Sequence, residues 1–302
     1  MKLFSLFVLF FTVFAEPIQP LPQSVSVDAK KYSLGKALFF DTLLSKDNTI
    51  SCATCHNLQT SGDDNLKFSF GIAGQEGDIN APTIFNSTFN FRQFWDGRAK
   101  DLKEQAMGPI ENPIEMGNTF ENLIKTLNKS HYKASFKEIY KDGITKNNIA
   151  DAIAEFEKTL ITPNAPFDKY LRGETDAITQ DQKEGYSLFK AKGCITCHHG
   201  INIGGNLYNK FGILEDAKSS QLGLYNVTKK ERDKYYFKVP TLRNIALTAP
   251  YFHDGRTKSL SESVKIMAKF QLGRKISEDE VKKIVTFLHA LTGEIPKVEK
   301  PQ

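Results

Sequence analysis

The amino-acid sequence predicts a mainly α-helical protein of two domains related by internal duplication, with long loops and little strand. Three observations predict this fold class: a Cys-x-x-Cys-His pentapeptide occurs twice, residues 81–102 recur at 239–260, and apolar residues repeat at helical spacing. Of the 302 residues, 40% are apolar and 25% are charged, which suits a soluble globular chain of two domains. The formal charge is only +5 and no basic stripe is interleaved with aromatic residues, so we expect no nucleic-acid partner.

The first element along the chain is an apolar leader. Lys2 precedes a nearly unbroken apolar run over residues 3–14, and Val13-Phe14-Ala15 resembles a small-residue cleavage site. This pattern predicts a secretory signal peptide over residues 1–15, with an uncleaved membrane anchor as the alternative. The proline-rich stretch that follows predicts an extended leader, and no later segment reaches membrane-spanning length. We therefore expect an exported, periplasmic protein that does not span the membrane after cleavage.

The cysteines predict the cofactor. All four lie in the two pentapeptides, Cys52-Ala-Thr-Cys55-His56 and Cys194-Ile-Thr-Cys197-His198. Disulfides, a zinc site or a thioredoxin-like redox pair are the alternatives, but none of them needs a histidine directly after each pair. Covalent haem attachment does, because the two thiols bind the vinyl groups and the adjacent imidazole ligates iron. The motifs therefore predict two haem c groups, with His56 and His198 as proximal ligands.

The duplication extends beyond these motifs. Residues 81–102 align without a gap on residues 239–260, and Gly-x-x-Leu-Phe begins at Gly35 and again at Gly185. Helical apolar sets follow later in each half: Ile149, Ile153 and Phe156, then Val281, Val285 and Leu288. We therefore expect two cytochrome c-like haem domains, over residues 16–165 and 166–302. The segment 234–239 is one of the few that predict strand.

The two halves differ where a second iron ligand would lie. The second half offers Met267, whose thioether would favour ferrous iron and raise the reduction potential. The first half offers Gln105 and Glu115, and a carboxylate beside an open iron could move a proton between the oxygens of a peroxide. From the residues alone, Met267 could instead be core packing, Glu115 a helix cap and Gln105 a solvated side chain.

With these motifs, the sequence resembles the bacterial di-haem cytochrome c peroxidases over nearly all of its mature length. The resemblance rests on both Cys-x-x-Cys-His sites and on the stretches FWDGRAKDLKEQAMGPIENPIEMG, KVPTLRNIALTAPYFHDG and IMAKFQLGR. It implies that the C-terminal haem, ligated by His198 and Met267, has a high potential and accepts electrons. The N-terminal haem, ligated by His56, would then be the peroxidatic one.

The resemblance also implies roles for individual residues. Glu115 would be the distal acid–base residue and Gln105 its polar companion, whereas Trp95, a core residue on chemistry alone, would lie between the haems. Calcium would bind between the domains through Asn80 and the carbonyl oxygens of Thr248 and Pro250, since oxygen donors suit this cation. Family members are commonly homodimers, although no interface can be read from this sequence.

One position departs from the family pattern. The family usually has a histidine in the loop before Asn-Ala-Pro-Thr, which serves as a removable sixth ligand to the N-terminal haem. Here the loop reads FSFGIAGQEGDINAPT, and Ile72 at the aligned position cannot bind iron. Either the first haem is open without reductive activation, or the chain has left peroxidase chemistry, and we expect the first.

These observations predict a di-haem peroxidase that reduces hydrogen peroxide to water with electrons from a small soluble redox protein such as cytochrome c. One alternative is an oxidase of another protein or small molecule, similar to the di-haem enzyme of methylamine dehydrogenase maturation. That relative has a tyrosine on its second haem, so Met267 favours the peroxidase. The other alternative is a di-haem electron carrier, which Glu115 and Gln105 in place of a first-domain ligand argue against.

Overall fold

The computed structural model describes residues 16–301 and confirms the mainly α-helical fold class. The predicted signal peptide, residues 1–15, lies outside the described residues. The α-helices are α1 (Ala29–Phe40), α2 (Cys52–Cys55), α3 (Leu102–Glu111), α4 (Phe120–Leu127), α5 (Tyr132–Ile139), α6 (Lys146–Glu157), α7 (Pro166–Leu171), α8 (Gln180–Lys192), α9 (Tyr225–Thr228), α10 (Leu260–Ile266) and α11 (Glu278–His289). Two short strands, β1 (Tyr208–Lys210) and β2 (Tyr236–Lys238), pair antiparallel, and β2 lies inside the segment predicted as strand. From residue 16 to 301, we find no helix with the length and apolar character needed to cross a bilayer.

The first half is built on two helices that cross at a glycine. Where α1 meets α6, a Cβ atom on Gly35 would lie 1.8 Å from the carbonyl oxygen of Ala152. The absence of a side chain at Gly35 therefore lets the two backbones approach. The predicted apolar face of α6 is buried at this crossing, with Ile149 and Ile153 in the core. Cys52 packs against the same core, so the crossing supports the first pentapeptide.

The second half repeats the crossing with α8 and α11. A Cβ atom on Gly185 would lie 2.1 Å from the carbonyl oxygen of Lys283. Gly185 therefore approaches α11 nearly as closely as Gly35 approaches α6. The start of α11 is fixed by a capping box in which the Ser277 hydroxyl accepts from the Glu280 N–H. The Glu280 carboxylate accepts from the Ser277 N–H in return. The duplication seen in the sequence is therefore present in the packing of the helices.

The register predicted for α11 is wrong by one residue. Gly35 packs against Phe156, whereas Gly185 packs against Phe287 and not against Leu288. Ile284 is accordingly buried and Val285 only half-buried. The sequence pattern could not decide between the two alignments, because Ile284-Val285 and Phe287-Leu288 are apolar pairs that fit a helical face equally well.

The aligned stretches 81–102 and 239–260 form equivalent loops. Asn86 and Asn244 both adopt the left-handed backbone conformation, with φ of 62° and 61°, which asparagine tolerates better than most residues. Their amide nitrogens both donate to the hydroxyl of Thr162, at 2.8 and 2.9 Å. The two halves are therefore joined at one buried hydroxyl group.

Each end of the described chain packs on the half that is distant from it in sequence. Ile18 and Leu21 are buried, and Ile18 belongs to the core of the second half. A fully buried ion pair between Arg243 and Asp168, 2.9 Å apart, binds the main chain of this leader on both sides. At the other end, Val298 packs in a core of the first half. The domain boundary between residues 165 and 166 stays a sequence prediction. Both terminal segments pack against the half on the other side of this boundary.

The glycine crossing generates a stability prediction. Replacing Gly35 with alanine should lower the free energy of unfolding by about 1–3 kcal/mol, because the methyl group forces α1 away from α6. Gly77→Ala is the matched control, since a Cβ there would meet nothing closer than the Ser69 oxygen at 3.5 Å. Denaturant unfolding of the haem-loaded proteins measures both changes. A loss no larger for Gly35→Ala than for Gly77→Ala would contradict the packing argument.

Candidate active site

The first pentapeptide forms a single helical turn that ends at His56. Ser51 and Thr54 cap this turn, and His56 follows its last residue. The Nδ1 atom of His56 lies 3.0 Å from the carbonyl oxygen of Gly62, so Nδ1–H donates there and Nε2 is left for iron. Burial lowers the pKa of His56, which keeps the imidazole neutral.

The second pentapeptide repeats this arrangement. Its cysteines flank a 3₁₀ turn, and the Nδ1 atom of His198 faces the carbonyl oxygen of Ile203 at 3.4 Å. Burial lowers the pKa of His198 to about 4, so this imidazole is also neutral. Both histidines are therefore oriented by the main chain and able to ligate a metal through Nε2.

The four cysteines are free thiols rather than disulfides. Burial raises the pKa of Cys55 and of Cys194 to about 11. Across residues 16–301, no group of three or more His, Cys, Asp or Glu side chains is arranged to hold a metal ion, which argues against the zinc alternative. The thiols are unpaired, as a group that adds covalently to two of them requires.

A large apolar cavity adjoins the second pentapeptide. Cys194, Cys197 and His198 line it together with Met267. Its lining is predominantly apolar, which suits the ring of a porphyrin. The structure thus brings the predicted attachment residues and both predicted axial ligands of the C-terminal haem to one cavity.

Met267 lies at a local change of helix type. It follows α10 directly and begins a π-helical segment that extends to Gln271. Such segments occur often at functional sites because the wider turn redirects a side chain. Met267 is half-buried rather than buried in the core, which fits a ligand better than a packing residue.

Glu115 lies near the first pentapeptide. Its negative charge is close enough to raise the pKa of the Cys52 and Cys55 thiols, although burial is the main cause for each. Burial also raises the pKa of Glu115 itself, against the hydrogen bond from Asn112 Nδ2 at 2.6 Å, which lowers it. Gln105 is a half-buried residue of α3, and no hydrogen bond among the described residues joins its side chain to Glu115.

One buried polar atom near this site has no partner among the described residues. It is the Oε2 atom of Glu157. Glu157 is 3% exposed, and burial raises its pKa to about 8. Its charge raises the pKa of the Cys52 thiol more than Glu115 does, which places it near the pentapeptide. Orphaned polar atoms of this kind fit a site that is completed by a bound group.

The loop that carries Ile72 packs on the turn that carries Glu115. The Ile72 N–H donates to the Glu115 carbonyl oxygen at 2.8 Å. A Cβ atom on Gly71 would lie 2.0 Å from the Ile114 carbonyl oxygen, and one on Gly117 would lie 2.3 Å from Cδ1 of Ile72. The loop and the turn are therefore in direct contact, and glycines on both sides make that contact possible.

Trp95 lies between the two halves. Its indole N–H donates to the Asn80 carbonyl oxygen at 2.8 Å, and its own carbonyl oxygen accepts from the Lys238 N–H at 2.8 Å. Asn80, Thr248 and Pro250, the residues predicted to bind calcium, line the same cavity as Trp95. The Asn80 amide nitrogen donates to the Leu66 carbonyl oxygen, which leaves its amide oxygen to face another partner.

Sequence reasoning missed several residues of these sites. Asn112 donates a hydrogen bond to the Glu115 carboxylate. It lies three residues before Glu115, and no sequence pattern singles it out. Lys238 and Asp63 are charged residues buried in the cavity between the halves. Lys238 was part of a predicted strand, and only its neighbours in space reveal that its charge is enclosed.

Comparisons with known proteins indicate two haem-protein domains, one for each half of the chain. Residues 29–176 match the family model for di-haem cytochrome c peroxidase, and residues 182–292 match the model for cytochrome c. The chain is 51% identical over 285 residues to cytochrome c peroxidase Ccp of Escherichia coli. That match covers 92% of this chain but 61% of the relative, so the chain spans less than two thirds of it.

Two further matches extend over most of both chains. The cytochrome c551 peroxidase of Nitrosomonas europaea is 49% identical over 290 residues, which cover 95% of this chain and 87% of the relative. A solved structure of a MauG-like protein associated with microbial copper homeostasis superposes with a TM-score of 0.79. It covers 92% of this chain and 93% of its own at 24% identity, and it is similar in fold alone.

The position of Met267 generates a prediction on the reduction potential. Met267→His should lower the potential of the C-terminal haem by more than about 59 mV, or tenfold in the one-electron equilibrium, because a thioether favours ferrous iron. Spectroelectrochemical titration measures the shift. Met107→Leu, at a half-buried methionine of the first core, is the control and should leave this potential unchanged. Equal potentials in Met267→His and the parent protein would show that Met267 is not a ligand.

Proposed function

The chain belongs to the family of di-haem cytochrome c peroxidases, and from this premise we propose that it reduces hydrogen peroxide to two molecules of water. The reaction consumes two electrons and two protons. The observation that carries the proposal is the difference between the halves: the second offers a thioether to iron, whereas the first offers a half-buried carboxyl group. A symmetric electron carrier would need no such difference.

In the proposed first site, Glu115 handles the proton. A bound haem would supply an iron that binds peroxide and exchanges electrons. Burial raises the pKa of Glu115, so the carboxyl group can accept a proton from one peroxide oxygen and return it to the other. Asn112 Nδ2 donates to its Oε1 atom and thereby holds the carboxyl group in one orientation. Gln105 is proposed as a second polar group toward this site.

In the proposed second site, His198 and Met267 would hold the haem iron, which would accept and pass on electrons rather than bind peroxide. Electrons from a small soluble donor, cytochrome c or a similar protein, would enter here. Trp95 would then lie on the path of the electrons to the first site. One hydrogen bond from its indole N–H and one to its carbonyl oxygen hold it in place. The sequence similarity to cytochrome c peroxidases supports peroxide as the substrate and a cytochrome as the electron donor.

We infer that the first haem needs no reductive activation. Ile72 occupies the position of the usual removable ligand, and its N–H is already bound to the Glu115 carbonyl oxygen. Close contacts of Gly71 and Gly117 hold the loop on the same turn. The loop would thus position the acid rather than block the iron.

The location and the remaining ligands are part of the same proposal. We propose a periplasmic location, which would depend on export by the leader over residues 1–15. Calcium would bind between the halves through the Asn80 amide oxygen and the carbonyl oxygens of Thr248 and Pro250, which share one cavity. Homodimer formation stays a prediction from the family resemblance.

The role of Glu115 gives a prediction on turnover. Glu115→Gln should lower kcat for peroxide by a factor of about 10²–10⁴, because an amide cannot exchange the proton. The haem absorption spectrum should stay unchanged, since no iron ligand is altered. Glu111→Gln is the matched control, because Glu111 lies four residues before Glu115 and its exposed carboxylate pairs with Lys146. Full turnover in Glu115→Gln would remove the acid–base role, and no saturable turnover in the parent protein would favour the electron carrier.

The role of Ile72 gives a prediction on activation. Ile72→His restores an imidazole at the aligned position, so the oxidised variant should show a lag in peroxide turnover that disappears after one-electron reduction. The parent protein and Ile72→Val should show no lag. Initial rates with and without prior reduction measure this difference. A lag in the parent protein as long as that of Ile72→His would contradict the open first site.

A further inference from the structure

Lys238 is a buried cation in the cavity of the second half. It ends β2, is 5% exposed, and lines the cavity together with His198 and Met267. Its main-chain N–H donates to the carbonyl oxygen of Trp95 at 2.8 Å. This bond ties the lysine to the residue that lies between the halves.

Among residues 16–301, no acidic side chain forms an ion pair with the Lys238 ammonium group. Burial lowers the pKa of this group to about 8. Asp63, a buried acid that lines the same cavity, is engaged by the Ser61 hydroxyl instead. Lys192, another lysine of the cavity wall, pairs with Glu280 at 2.5 Å. Burying an unpaired charge costs several kcal/mol, so a partner for Lys238 is expected inside the cavity.

The duplication makes this charge specific to the second half. Residue 238 precedes the repeated stretch 239–260, as residue 80 precedes 81–102, so Lys238 is the counterpart of Asn80. Asn80 is also buried, but its neutral amide is hydrogen-bonded to the Leu66 carbonyl oxygen. The same position in the fold is therefore neutral in one half and cationic in the other.

We propose that Lys238 is the counter-ion of a propionate group of the haem attached to Cys194 and Cys197, and that it raises the reduction potential of that haem. The inference rests on the proposed di-haem function and deepens it. Porphyrin propionates are the anionic groups that this cofactor brings into the cavity. Reduction adds a negative charge to the haem, and a fixed positive charge in an apolar enclosure stabilises the reduced state. Lys238 is thus a positioning residue that acts together with Met267.

The test is the reduction potential of the haem-loaded protein, measured by spectroelectrochemical titration. Lys238→Gln should shift the one-electron equilibrium of the C-terminal haem about tenfold or more toward the oxidised form, which is about 59 mV. The control is Lys210→Gln, an exposed lysine on the wall of the same cavity, whose screened charge should change the potential much less. Lys238→Arg, which keeps the charge, should restore most of the potential. A shift in Lys238→Gln no larger than in Lys210→Gln, or confined to the N-terminal haem, would overturn the proposal.

A second measurement covers the case in which the variants do not fold. In a crystal structure of the haem-loaded parent protein, the Lys238 ammonium should lie within about 4 Å of a propionate oxygen of the C-terminal haem. Propionates that point away from Lys238 would overturn the proposal. Neither measurement uses peroxide, so absent peroxide turnover together with the predicted shift would reject the proposed function and leave the role of Lys238 standing.

Discussion

Both halves of the molecule are tied to the hydroxyl group of Thr162. The amide nitrogens of Asn86 and Asn244 donate to this one oxygen, and both asparagines hold the same left-handed backbone conformation. Their main-chain N–H groups donate to the carbonyl oxygens of Leu160 and Leu291, which lie just beyond the ends of α6 and α11. Because a buried hydroxyl has only two lone pairs, it accepts one bond from each half and no more. This shared atom therefore joins the two repeated loops, 81–102 and 239–260, at one point.

On this symmetric frame, function arises from the few positions that differ. The imidazoles of His56 and His198 are oriented alike by main-chain carbonyl oxygens. The halves differ in other residues: one carries Met267 in a π-helical turn, and the other carries Glu115 in a turn held by Asn112. Lys238, the counterpart of Asn80, adds a positive charge to the half that carries Met267. The two halves thus share a helix crossing and a pair of equivalent loops, and they differ in the residues proposed to act on iron and peroxide.

The pentapeptides, the duplication and the mainly helical fold were readable from the sequence because they depend on local spacing. What depends on distant contacts was not. The leader that contains Ile18 was predicted as merely extended, yet it packs in the core of the second half. The sequence showed that Ile72 cannot bind iron, but not that its N–H is bound to the turn of Glu115. Lys238 looked like a strand residue, because no sequence pattern records that a charge is enclosed without a partner.

The central claim is that the two iron centres differ, one closed by sulfur and the other open beside a carboxyl group. Electron paramagnetic resonance of the fully oxidised, haem-loaded protein tests it most directly, since the spin state of ferric haem reports its axial ligands. The account predicts one low-spin centre, from the haem ligated by His198 and Met267, and one high-spin centre, from the haem ligated by His56 alone. Two low-spin centres in the parent protein would contradict it.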